Sequence, residues 1–293
     1  YDSLPGGAPS DLSVRRYLRY ATGGSGMIWF EAIAVMQEGR SNPGQLWITA
    51  DNLDSYKRLI EDVRKNTAGF SQDPFLVAQL THSGRYSKPD GHAHPLAGAA
   101  NPLLDKIPAL VLSDDDLLRI QDKFVEAARL SRDAGFNAVD IKACHGYLVV
   151  DLLAARKRSG RYGGEDPAAR FRFLLETIDR IRDEAPGIIV TTRLAMSDLY
   201  KGGFGVDENG QPDYTEPLML VEELDKRRLP LINLTMGSPY FNAWVTRPFD
   251  TALPGQQVPD EHPLSGVVRM IGATALFQQR LRGIAIVSSA FSY

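Results

Sequence analysis

What this chain can fold into is limited first by six short strand-like runs that alternate with helical patterns. The runs are Met27–Phe30, Phe75–Leu80, Val139–Lys142, Ile188–Leu194, Leu231–Leu234 and Ile284–Val287, and most read as strands buried on both faces. Between them fall amphipathic stretches: Ser10-Asp11 to Gly23, Leu53 to Lys65, Ser113 to Gly135, around Phe171 to Ile181, Pro217 to Lys226 and Val267 to Leu281. Strand and helix in alternation argue for parallel pairing through helical crossovers, hence an α/β fold. The long connections, 36–52, 82–112, 143–166, 195–214 and 236–262, all follow strands. In parallel α/β folds the C-terminal strand ends carry the site, so long loops there suit an enzyme barrel. A doubly wound sheet is the rival. One strand added before the first run and one after the last would complete eight, which favours a (β/α)8 TIM barrel. The expectation is a single barrel domain over residues 1–293 whose first and eighth strands are missing. Tyr1 to Gly7 reads like the middle of a loop and the chain stops just after an apolar strand, so both ends look cut.

Charge and cysteine content narrow the partners. A net charge of −3 gives no support to a nucleic-acid or anionic-membrane partner. No apolar run approaches the ~18 residues of a membrane span, and the first residues lack a signal-peptide pattern. The single cysteine, Cys144, excludes an intrachain disulfide or an all-cysteine iron–sulfur cluster and is compatible with a reducing cytoplasm. Oligomeric state is open, a homo-oligomer included.

The chemistry gathers where the strands end. In Val139-Asp140-Ile141-Lys142 the aliphatic pair shares one face and the charged pair the other, which is costly unless the charges are paired or used. Gln79, Lys142, Arg193, and Asn233 with Thr235 are long or polar side chains at the same end of four successive strands. They would converge on one mouth as donors toward something electron-rich, and no carboxylate cluster for a metal accompanies them. The bland alternative is a set of hydrogen bonds capping an ordinary barrel. His82 and Arg85 could hold a polar or anionic ligand, although His82 alone is better read as bonding its own loops. His92 and His94 lack an evident third metal ligand, and Cys144 beside His145 is better read as packing than as a nucleophile–base pair. Trp29, Trp47, Phe241 and Trp244 could line a pocket or simply pack.

At Gln79–Arg85 and Val139–Leu148 the chain resembles the Old Yellow Enzyme family of flavin-dependent ene-reductases, including its dienoyl-CoA-reductase-like branch. Gly23, Gly24 and Gly26 before Met27–Ala32 look like the family's second strand. Glu38-Gly39-Arg40 looks like the loop after it, and Arg161-Tyr162-Gly163-Gly164 like its arginine–tyrosine–double-glycine turn. The resemblance covers essentially all 293 residues. It implies an FMN across the barrel mouth, reduced by NAD(P)H and passing hydride to an activated C=C bond of a small unsaturated carbonyl compound. By position, Gln79 and Arg193 would bond the flavin pyrimidine, the backbone of Ala32 would approach its polar edge, and Ser289 and Ala290 would take part in cofactor binding. Tyr147 matches the family's proton donor and His145 the second member of the pair that grips the substrate carbonyl. Lys142 stands where the first member is normally a histidine, with Asp140 the candidate to hold it. The stretch from Ser288 departs from the family's Gly-Ser-Gly turn, and the first-strand flavin contacts and eighth-strand phosphate grip are absent from the chain. Two other readings stand beside this one: a degenerate, non-catalytic barrel that has lost FMN, and a lyase using Lys142 as a Schiff-base lysine. NADH against NADPH is left open, because no dinucleotide-binding fingerprint is present.

Overall fold

The strand pairings described below are all parallel, as the alternation of strands and helices demands. The structure is a computed structural model that describes residues 2–67, 69, 73–251 and 258–291. Ser292 and Tyr293, the end of the stretch compared with the family's glycine turn, lie outside the described residues. Contacts divide the chain into two compact units.

The first unit comprises residues 1–97, 107–142 and 173–190. It contains α1 (Asp11–Thr22), β1 (Met27–Trp29), β2 (Ile33–Ala34), α2 (Leu53–Lys65) and β3 (Phe75–Thr81). A small parallel pair, β4 (Leu96–Ala97) with β5 (Leu110–Val111), precedes α3 (Asp114–Ala134) and β6 (Ala138–Ala143). Strand β3 is central: β1 pairs with it through Ile28↔Leu76, β2 through Ile33↔Leu80, and β6 through Gln79↔Asp140. Six of its seven residues and all of β6 are buried, so both faces are covered. The Ser113 hydroxyl accepts from the Asp116 N–H while the Asp116 carboxylate accepts from the Ser113 N–H; this reciprocal cap starts α3 where Ser113-Asp114 announced it. Tyr17 of α1 stacks on Phe30 with ring centroids 3.8 Å apart, and Phe136 meets Phe30 edge-on at 4.8 Å.

The second unit comprises residues 98–106, 143–172 and 191–293. Here α4 (Leu148–Leu153) precedes the first turns of α5 (Pro167–Glu184), whose residues from 173 on belong to the first unit, and β7 (Ile189–Ser197, from residue 191 on), α6 (Thr215–Lys226) and β8 (Leu231–Met236) follow. The short α7 (Ala243–Thr246), α8 (Pro263–Gln278) and β9 (Ala285–Ser288) complete it. Strand β8 pairs with β7 at Arg193↔Asn233 and with β9 at Asn233↔Val287, so these three positions form one row across the strands. The turn after Arg161-Tyr162 is anchored by Arg170, which is fully buried. Its guanidinium donates to both oxygens of Glu216 at 2.7 and 2.6 Å, and to the carbonyls of Leu153 and Gly164. No helix among the described residues is long and apolar enough to cross a membrane.

Candidate active site at the strand ends

In the first unit the residues expected at the strand ends are buried: Gln79 and Lys142 at 5 % exposure and Asp140 at 0 %. The Asp140 carboxylate is a junction. Its Oδ2 accepts from Trp29 Nε1 at 2.8 Å and from Gln79 Nε2 at 2.6 Å. The register Gln79↔Asp140 puts the two side chains next to each other, and Trp29 reaches them from β1. Because a carboxylate accepts, this bond fixes the Gln79 amide with its NH2 toward Asp140, leaving its carbonyl oxygen as an acceptor for a ligand N–H. Trp29, read from the sequence as pocket lining or packing, thus has a third role as a donor to a buried charge. Ala32 is buried beside it in sequence, and its carbonyl accepts from Gln45 Nε2 at 3.0 Å, which holds that peptide in place.

His82 behaves as the bland alternative proposed. Its Nδ1 accepts from the Gly84 N–H at 3.1 Å, so Nε2 carries the hydrogen. Burial, with a smaller contribution from His94, lowers its pKa to about 3. A neutral imidazole cannot hold an anion by charge. Among the described residues no three metal-ligating side chains come together, so His92 and His94 have no third ligand there. Cys144 is buried and forms no disulfide.

In the second unit β7, β8 and β9 bring a polar row together. The Arg193 guanidinium donates to Ser289 Oγ at 3.1 Å and to Thr235 Oγ1 at 3.5 Å. Asn233 stands in register with Arg193, and its Oδ1 is buried without a hydrogen-bond partner among the described residues. A buried acceptor left open costs about 1–3 kcal/mol, so it is a position for something that donates. Ala290 takes φ 65°, the left-handed backbone that glycine favours, where the sequence lacks the family's glycine.

His145 also has a left-handed φ, 64°, in a residue with a bulky side chain. Its carbonyl accepts from Ser238 Oγ at 3.3 Å, and its Nε2 lies 3.5 Å from Thr235 Oγ1. Tyr147 is buried at 2 % exposure, and its hydroxyl lies 2.9 Å from the hydroxyl of Tyr240. Tyr240 was not legible as a site residue; the available signal was its place in the first turn after a strand carrying Asn233 and Thr235. Asp198, one residue past β7, was missed too. It is buried, its Oδ2 accepts from the Phe204 N–H at 2.8 Å, and burial raises its pKa to about 7. Phe241, a candidate pocket residue, lies 5.0 Å from the Tyr200 ring.

Comparison with known proteins finds relatives in sequence and in fold. Residues 1–243 match the sequence model of the NADH:flavin oxidoreductase / NADH oxidase family. The NADPH dehydrogenase of Geobacillus sp. (strain WCH70) is 32 % identical over 196 residues, covering 66 % of this chain and 55 % of that protein. That of Bacillus subtilis (strain 168) is 28 % identical over 206 residues, covering 69 % and 58 %. The chain thus spans somewhat more than half the length of these curated relatives. Among solved structures, 2-naphthoyl-CoA reductase in complex with 2-naphthoyl-CoA superposes with a TM-score of 0.76 at 18 % identity, over 99 % of this chain and 44 % of that one. The old yellow enzyme homologue from Zymomonas mobilis gives 0.71 at 20 % identity, over 99 % and 75 %, and morphinone reductase 0.69 at 22 %, over 98 % and 72 %. At such identities the likeness establishes the fold class, α/β of the TIM-barrel type, as expected from the sequence.

Proposed function

The chain belongs to the NADH:flavin oxidoreductase / NADH oxidase family, and on that premise we propose that it serves as an FMN-dependent, NAD(P)H-driven reductase of activated C=C bonds. Residues 1–293 would act as one flavin-oxidoreductase domain, in the cytoplasm, on a small enone, enal or enoate. The observation that carries this reading is the row Arg193–Asn233: a guanidinium beside a buried, unpartnered carbonyl oxygen suits the alternating acceptors and N–H groups of a flavin pyrimidine. The residues present therefore fit the cofactor. When bound, FMN supplies the two-electron chemistry, taking hydride from the nicotinamide and yielding it to the substrate.

The chain's own residues divide the remaining work. Arg193, held by Ser289 and Thr235, would stabilise negative charge on the pyrimidine edge. Gln79, its amide turned by Asp140, would accept from an imide N–H, and the backbone of Ala32 would approach the flavin's polar edge; Ser289 and Ala290 would also take part in cofactor binding. Lys142 and His145 would grip the substrate's carbonyl oxygen and stabilise enolate charge there. Lysine in place of the family's histidine brings a point charge rather than a neutral donor, which favours substrates whose activating oxygen becomes strongly anionic. Tyr147 would give a proton to the carbon opposite the site of hydride addition.

The test is spectroscopic first. Purified chain, or chain incubated with FMN, should show the blue-light absorbance of oxidised flavin and release FMN on denaturation. Lys142→Ala should then lower enone turnover about 10²-fold, within the range of one electrostatic donor, and weaken phenolate binding. A colourless chain that takes up no added FMN would overturn the assignment in favour of the non-catalytic alternative. Trapping of a keto substrate by borohydride, abolished in Lys142→Ala, would instead favour the Schiff-base alternative.

A further inference from the structure

We infer that Tyr240 is the proton relay that connects Tyr147 to solvent, a positioning residue acting through Tyr147's hydroxyl; this rests on Tyr147 being the proton donor proposed above. At 2 % exposure Tyr147 is closed off from water, yet a residue that gives up a proton at every turnover must regain one. Tyr240 is 48 % exposed, and its hydroxyl lies 2.9 Å from that of Tyr147. One end of the pair is thus dry and the other wet, joined by a hydrogen bond of ordinary length for two hydroxyls.

Tyr240 is also fixed in place. Its backbone N–H donates to Ser238 Oγ at 3.3 Å, and that same hydroxyl donates to the carbonyl of His145 at 3.3 Å, in the segment that carries Tyr147. The Ser238 N–H donates to Asn242 Oδ1 at 2.6 Å, and Asn242 Nδ2 donates to the carbonyls of Asp198 and Leu199 at 2.9 and 3.2 Å. The turn carrying Tyr240 is therefore pinned at both ends, and the tyrosine rings lie 6.0 Å apart at an interplanar angle of 32°. An exposed aromatic on a free loop would not hold a 2.9 Å contact in this way.

The proton balance is simple. The Tyr147 O–H bond breaks as a C–H bond forms with the electron pair of the substrate's enolate, leaving a phenolate on Tyr147. The Tyr240 O–H then donates its proton across the 2.9 Å contact, and Tyr240 takes a replacement from water. No oxidant or reductant enters these steps.

The variant Tyr240→Phe keeps the ring and removes the oxygen, and the half-exposed position tolerates the change. Two readouts decide the matter. The first needs no turnover: alkaline titration of tyrosinate absorbance, taking the difference between the chain with Tyr147 and the chain carrying Tyr147→Phe. In the Tyr240→Phe background, the Tyr147 midpoint should rise by about one pH unit, because its phenolate loses a donor. The second is a proton inventory in H2O–D2O mixtures on the FMN-loaded chain. It should be curved for the unaltered chain and linear for Tyr240→Phe, whose turnover should fall about 10-fold against about 10²-fold or more for Tyr147→Phe. An unmoved Tyr147 midpoint, with Tyr147→Phe still impaired, overturns the relay alone. Full turnover in Tyr147→Phe overturns the donor assignment and the relay with it.

Discussion

The loop that follows β3 and the loop that follows β7 solve the same packing problem, one with a base and the other with an acid. Each buries one titratable side chain, His82 at 1 % and Asp198 at 1 % exposure. Each holds it with a backbone N–H a few residues on, from Gly84 to His82 Nδ1 and from Phe204 to Asp198 Oδ2. Each covers it with a glycine: a Cβ on Gly39 would lie 2.6 Å from His82 Cδ2, and one on Gly203 would lie 2.6 Å from Asp198 Cβ. The difference is the protonation state that burial selects. Desolvation penalises the charged form of either group, so the base is driven down to about 3 and the acid up to about 7. For Asp198 the Phe204 N–H opposes the rise, the Asp151 carboxylate adds to it, and the Tyr200 hydroxyl opposes it. Between about pH 3 and 7 the neutral form of each therefore predominates in the folded chain, and their effects on stability slope in opposite directions.

That opposition gives the largest expected effect. Between about pH 3 and 6.5 the unfolded chain protonates His82 while the folded chain leaves it neutral, so this contribution is lost as pH falls through that range. Between about pH 4 and 7 the folded chain keeps the Asp198 proton that the unfolded chain has released, so this contribution is lost as pH rises. Where the windows overlap the slopes cancel, each at most about 1.4 kcal/mol per pH unit. Asp198→Asn should therefore leave a chain whose stability relative to the unaltered one climbs from about pH 4 to 7, and His82→Asn one whose relative stability climbs from about pH 6.5 down to 3. Urea unfolding of the three chains across that range checks this. Parallel profiles would break the comparison at its root.

How much of this could be read beforehand follows from what periodicity encodes. The six strand cores and the long helices were legible because strands covered on both faces are apolar throughout and surface helices carry a stripe. The two-residue strands β2, β4 and β5 are too short to carry any pattern, and α4, buried at every position, shows no stripe to mark it as a helix. At the site, Gln79, Lys142, Arg193 and Asn233 stood out as polar residues interrupting apolar strand ends. Their partners did not, because pairing is set by register across distant segments: Trp29 reaches Asp140 over 111 positions and Tyr240 reaches Tyr147 over 93. Asp198 and Tyr240 lie in loops, where no period distinguishes a buried acid or a relay from an ordinary turn residue.

A smaller effect tests the glycines that close the two loops. Gly39→Ala and Gly203→Ala each force atoms apart in a filled interior, which costs about 1–3 kcal/mol. Gly203 should be the less tolerant. Its added methyl meets Asp198 Cβ, fixed to the main chain, and would also lie 3.0 Å from Asp198 Oδ2, whereas the Gly39 methyl meets a ring that can tilt about its own bonds. Thermal unfolding of the two variants ranks them, and an equal or reversed order would mean that His82 is held more rigidly than Asp198.

The smallest effect isolates one contributor to the Asp198 value. The Tyr200 hydroxyl bonds to the carboxylate and favours its charged form, but it ranks behind burial, the Phe204 N–H and Asp151. Tyr200→Phe removes that oxygen and keeps the ring that meets Phe241 at 5.0 Å. The Asp198 midpoint should then rise above about 7 by a fraction of a unit, extending upward the range over which stability falls with pH. The acid-side loss due to His82 should not move, since Tyr200 contributes nothing to that group's shift. The pH dependence of unfolding for Tyr200→Phe, set against Asp198→Asn, reads this directly. A midpoint that falls instead would show that Tyr200 bonds the neutral acid in preference to the carboxylate. The two loops would then differ in what their hydrogen bonds select as well as in which group they bury.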